Sequence, residues 1–306
     1  MEQQPAASDN KGPMLMATLW TLHAITLIAF SVRLWSRLRP KFALTAADYT
    51  ITIAVLSKTA SMGLVTACVH LGFGQHAVHV DRSARATVNT YLFIIYILSM
   101  IATSFARISI GCLLLQVTLD RRWRILIYGS IFIQAANMLI YIAFQFAQCQ
   151  SSLSSMIDLK NTNCLTPAQV VWFSHANNAV AFASDLICAI IPGILIKSLT
   201  RSTVEKVLTF ALLAACLVAS GVVIAKMYYT IVFDFASSDG FYIMVDKMFW
   251  SRIEESVIII AACAPLLRGP VERGLKRLGF RGIRPPTPAL NSVGEQVTGS
   301  SKGSSV

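Results

Sequence analysis

The chain of 306 residues is 55% hydrophobic and only 13% charged, with a mean hydropathy of +0.61 and a formal net charge of +11. Soluble domains carry about 25% charged residues, so this composition excludes a water-soluble surface and leaves a bundle that faces lipid. The positive charge lies between the apolar stretches and after the last of them, the distribution that membrane insertion demands, so it does not imply nucleic acid.

A polar leader over residues 1–13 precedes the first apolar run and carries Glu2 and Asp9, with no pattern of a cleavable signal peptide. The first run therefore reads as its own insertion signal. A spanning helix needs roughly 20 mostly apolar residues, and seven stretches qualify: Met14–Trp35, Tyr49–Val69, Val88–Gln116, Ile125–Gln148, Val170–Ile196, Val204–Val232 and Val245–Leu267. None has the length or strict alternation of a barrel strand, so the expected fold is all-α, a seven-transmembrane helix bundle. No internal repeat suggests a transporter.

Orientation follows from the loops. Arg33, Arg37, Arg39 and Lys41, then Arg121, Arg122 and Arg124, then Lys197, Arg201 and Lys206, then Arg268, Arg273, Lys276, Arg277, Arg281 and Arg284 gather on one side. This asymmetry predicts a cytosolic C-terminus and an N-terminus outside. The domain organisation is then a transmembrane domain over 14–268, a basic juxtamembrane segment over 269–284 and a disordered tail over 285–306, rich in Pro, Ser and Gly.

Cys149 and Cys164 flank the long polar loop between the fourth and fifth spans, on the side where oxidation is permitted. A disulfide is expected there, two unpaired thiols being the alternative. His70, His76, His79 and Asp81 lie near one another in sequence, but Gly72 and Gly74 argue for a turn, and no metal site is expected. Asp48 is placed to cap the second helix.

An ionisable residue in a spanning helix must face the interior or find a partner, which makes each one a candidate site residue. Lys58, Asp185 and Glu254 fall near mid-span, with Lys226 and Arg252 toward the outer side and Arg107 toward the inner side. Asn178 and Asp185 are two helical turns apart and share a face, and Pro192 is expected to kink the helix below them. Arg252 and Glu255 stand three apart and can pair, leaving Glu254 to point elsewhere or to pair with Lys226. Glu254 and Asp185 are thus the candidate catalytic residues, and Asn178, Lys58, Lys226 and Arg252 the candidate ligand-binding residues. The bland reading of all of them is structural ion pairing.

No cofactor is expected. A retinal Schiff base needs a lysine in the middle of the last helix, whereas Lys247 lies at its outer end and Arg252–Leu267 contains none. The Asp120-Arg121-Arg122 run after the third span looks like the switch of animal seven-helix receptors, but the last span lacks that class's Asn-Pro-x-x-Tyr element.

Asp48-Tyr49, GFGQH at 72–76, the two loop cysteines, Asp185 with Pro192, and above all WSRIEESVIIIAACAPLLRGP at 250–270 give the chain a resemblance to a known family. Over nearly all of residues 15–280 it resembles the fungal rhodopsin-domain family of integral membrane proteins. That family includes receptor-like proteins of plant pathogens and membrane proteins of mycotoxin gene clusters. Arg107 stands where lysine is typical and Lys226 where arginine is expected, swaps that keep charge but alter hydrogen-bond geometry.

The resemblance and the embedded charges together imply a multi-pass protein of the plasma membrane or an endomembrane. It would serve a fungal secondary-metabolite pathway by binding, isomerising or cyclising an apolar intermediate. The alternative is a cell-surface receptor that couples an external ligand to a cytosolic signalling protein. Expected partners are the lipid bilayer and a small apolar ligand, and whether the chain is an enzyme stays open.

Overall fold

The computed structural model describes residues 11–38, 44–75, 81–117, 120–148, 167–198, 203–232 and 240–264. Seven helices make up almost all of these: α1 (Gly12–Leu38), α2 (Ala46–His70), α3 (Arg82–Val117), α4 (Arg121–Gln148), α5 (Pro167–Ser198), α6 (Thr203–Val232) and α7 (Gly240–Cys263). Each contains one of the stretches chosen from sequence or nearly all of it, and several run past it. α3 gains a polar first turn, Arg82 to Thr87, because a helix continues beyond the apolar layer as long as nothing breaks it.

The bundle is inverted relative to a soluble protein. Trp35, Ile28, Leu56, Phe132, Leu139, Trp172 and Ile224 are exposed, while Arg33, Lys58, Arg107, Asp185, Arg252, Glu254 and Glu255 are buried. Apolar side chains facing outward and paired charges facing inward satisfy a hydrocarbon solvent. Five helices, α1–α4 and α6, are long and apolar enough to cross a membrane on composition alone. In α7 the polar residues point inward: Arg252, Glu254 and Glu255 are each no more than 2% exposed.

Along the bundle axis the interior is layered. One apolar layer gathers Ile51, Val55, Ile110, Leu114, Cys188, Cys216 and Ile259 at the end where α1 finishes and α2 begins, here the Arg33 end. A second gathers Leu15, Leu19, Met62, Phe73, Leu92, Ile95 and Met248 at the opposite, Phe73 end. Between them lies a polar belt. Among the described residues, the second layer is built from α1, α2, α3, α7 and the turn after α2. The matching space among α3, α4, α5, α6 and α7 is a cavity.

Local chemistry fixes both ends. Thr45, not Asp48, is the N-cap residue of α2; Asp48 occupies the third helical position and its Oδ2 accepts from the Thr45 backbone N–H at 3.0 Å and hydroxyl at 2.9 Å. The capping role expected of Asp48 thus falls to its neighbour, because a carboxylate at the third position reaches back over the turn instead of beginning it. Asp81 immediately precedes α3, and its carbonyl accepts from the Arg85 N–H at 3.0 Å, the geometry of an N-cap residue. The turn after α2 uses Gly72 and Gly74 at φ 94° and 108°, values that favour glycine, and drops Phe73 into the core. α5 runs on as helix across Pro192.

Cys149, Cys164, His76 and His79, the segment 269–284 and the tail 285–306 lie outside the described residues.

Candidate functional site

Three buried charge networks tie the helices together. At the Arg33 end, Arg33 of α1 donates from Nη2 to Asp48 Oδ1 at 2.8 Å and to the Ala47 carbonyl, and from Nη1 to the Ala262 carbonyl of α7. Ser109 of α3 donates to the same Ala47 carbonyl at 2.7 Å. Sequence assigned Arg33 to a basic loop; the structure buries it as a pin through α1, α2 and α7.

The second network lies mid-bundle between α1, α2 and α7. Lys58 donates to Ser256 and Thr26, and Arg252 donates to Ser61 at 2.6 Å and to Glu255 at 2.8 Å. The Arg252–Glu255 pair has the three-residue spacing anticipated for it. Lys58 and Arg252 therefore lie in a packed helix interface and not on the cavity wall.

The third network forms the floor of the cavity. Arg107 of α3 forks onto Asp185 of α5, Nε to Oδ1 at 2.9 Å and Nη2 to Oδ2 at 3.2 Å, and reaches Glu254 Oε1 of α7 at 2.7 Å. Lys226 of α6 donates to the other Glu254 oxygen at 2.6 Å. Two acids and two bases close a neutral cluster across four helices. Beside it Gln134 of α4 donates to Ser104 and accepts from Ser184, so α3, α4 and α5 are also stitched.

Above this floor the cavity, about 180 Å³, rises toward the Phe73 end. Its walls mix Tyr96, Thr103, Tyr141, Phe144, Phe173 and Met244 with Asn137, Asn177, Asn178, Thr230, Lys247 and Ser251. Phe144 and Phe173 stack with centroids 3.7 Å apart, making a flat aromatic wall between α4 and α5. Asn137 donates to Asn177 at 2.8 Å, whereas the Asn178 amide nitrogen, fully buried, has no hydrogen-bond partner.

Of the residues singled out from sequence, Glu254, Asn178 and Lys226 line this cavity together, and Asp185 stands behind its floor as the partner of Arg107. Sequence reasoning missed Arg107 as the hub. Its signal was present, an arginine in a span within reach of two acids, but periodicity cannot say which acids those are. It also missed Gln134 and Asn137, ordinary polar residues whose inward direction no single-helix pattern reveals.

A family model, the fungal rhodopsin domain, matches residues 32–273, a stretch that runs from Arg33 through the whole cavity to beyond α7. The chain belongs to the fungal rhodopsin family. It is accordingly a multi-pass integral membrane protein, in agreement with the inverted bundle. No curated protein and no solved structure matches the chain. Within this fungal rhodopsin domain, no lysine occurs between Arg252 and the last described residue, Ala264, so no side chain there can form a Schiff base.

Proposed function

We propose that this fungal rhodopsin-domain protein binds a small amphipathic molecule in the cavity among α3–α7 and, through that binding, serves a secondary-metabolite pathway. The observation that carries the reading is the cavity itself: an aromatic wall above a floor whose charges are already matched. Such a concave, mostly preformed space with a few fixed polar groups is the usual form of a small-molecule site. Binding is favoured over proton transfer because both Glu254 oxygens are already engaged, one by Arg107 and the other by Lys226. With the basic loops cytosolic, the Phe73 end and the cavity on that side of the floor would face the non-cytosolic side.

A second reading, a receptor, draws on the same cluster. It bridges α3, α5, α6 and α7, so a ligand that competes for Arg107 or Glu254 in one arrangement of the helices would shift their packing and be felt at the Arg33 end, where a signalling protein would dock.

Gene deletion separates the two. Loss or truncation of a metabolite series, with intermediates accumulating, supports the pathway role; an unchanged metabolite profile removes it. An unchanged profile together with a lost G-protein-dependent response transfers the assignment to the receptor.

A further inference from the structure

Among the described residues that line the cavity, there is one cationic group more than the anions can match. Arg107 and Lys226 are neutralised by Asp185 and Glu254. Lys247, about two helical turns before Glu254 and on the same wall, has no ion-pair partner among the described residues. Its chain neighbour Asp246 is committed to Lys11 at 2.9 Å. The one carboxylate in the cavity lining, Glu254, is already shared by Lys226 and Arg107. An unmatched ammonium in a low-dielectric bundle is costly, and an anionic guest relieves that cost.

A second, independent observation marks the same space. The Asn178 Nδ2 is buried, lines the cavity and has no acceptor, while its chain neighbour Asn177 is paired with Asn137. A buried N–H donor left without a partner carries an unmet desolvation cost, which any acceptor that reaches it removes. The cavity thus offers a cation and a spare amide donor, with no spare acceptor charge, beside the stacked Phe144 and Phe173.

We propose that the ligand is an organic acid: a carboxylate head held by Lys247 and Asn178, on a flat apolar body lying along the Phe144–Phe173 wall. The proposal rests on the small-molecule reading above and narrows it to one chemical class.

The test uses the full chain in phosphatidylcholine nanodiscs and two probes of nearly equal shape, naphthalene-1-acetate and naphthalene-1-acetamide, followed by calorimetry. The expected result is at least tenfold tighter binding of the acid. Lys247→Met should abolish that preference by weakening the acid far more than the amide, Lys247→Arg should retain it, and Asn178→Leu should weaken the acid several-fold. A variant's melting temperature in the same discs guards against loss of fold. Equal binding of acid and amide, or an acid preference that survives Lys247→Met, overturns the acid assignment and leaves the binding pocket standing. If neither probe binds the wild-type chain, the acid assignment and the pocket reading fall together.

Discussion

Arg107 does more than its single charge suggests, because it serves two carboxylates at once. Removing it as Arg107→Met leaves Asp185 buried without a cation and Glu254 with Lys226 alone. Breaking a buried pair in this way costs about 3–5 kcal/mol, so the variant should melt far below the wild type in detergent. The double change Arg107→Met with Asp185→Asn should recover part of the loss, since fewer unpaired charges remain. A melting temperature unmoved by Arg107→Met would show that the cluster does not hold the fold. Glu254→Gln is the gentler probe: it keeps the shape and one acceptor oxygen while removing the charge and turning an amide N–H toward the other cation. On the binding reading, product yield per folded protein stays near that of the wild type in a producing host. A proton-donor role predicts that yield collapses at equal protein level. At this scale the sequence showed which residues were too polar for lipid, and it left their partners open, because a partner on another helix is set by packing and not by spacing.

Helix contacts depend on small residues as well as charged ones. Gly111 of α3 meets Ile131 of α4 so closely that an added Cβ would lie 2.8 Å from the Ile131 Cγ1. Gly111→Leu should therefore force α3 from α4 and lower stability by about 1–3 kcal/mol, the usual cost of overpacking, with Ile131→Ala in the same chain restoring much of it. Thermal unfolding of the single and double variants reads this directly; additive losses would refute the contact. Helix existence was legible from seven apolar runs, and α5 and α7 were among them although each carries polar residues within its span. The Arg252–Glu255 pairing was legible too, since i,i+3 geometry is internal to one helix. The α2 cap was not: Thr45 and Asp48 are both good capping residues, and only the backbone path decides which one begins the helix.

The molecule as a whole is ordered by depth, with apolar layers at the Arg33 and Phe73 ends and a polar belt between them. This layering makes orientation a matter of consequence, since the cavity lies on the Phe73 side of the charged floor. Asn163→Thr converts residues 161–163 into an Asn-Thr-Thr glycosylation acceptor in the segment joining α4 and α5. If the basic loops are cytosolic, the variant should gain an endoglycosidase-sensitive increase in mass. The same acceptor engineered between α3 and α4 should not. Glycosylation only at the latter site would reverse the topology and turn the cavity side of the floor to the cytosol.

The sequence by itself determined the solvent, the number of helices and the family, because hydrophobic length and charge scarcity are properties of a chain read along one dimension. It also determined that charges had to be neutralised inside. Only the tertiary structure decided how they divide: Lys58 and Arg252 into a packed interface, Arg33 into a pin, and Arg107 with Asp185, Glu254 and Lys226 into the floor of a cavity. Each of those assignments depends on the rotation of one helix against another. That rotation is fixed by the close packing of many side chains at once and is written in no single segment.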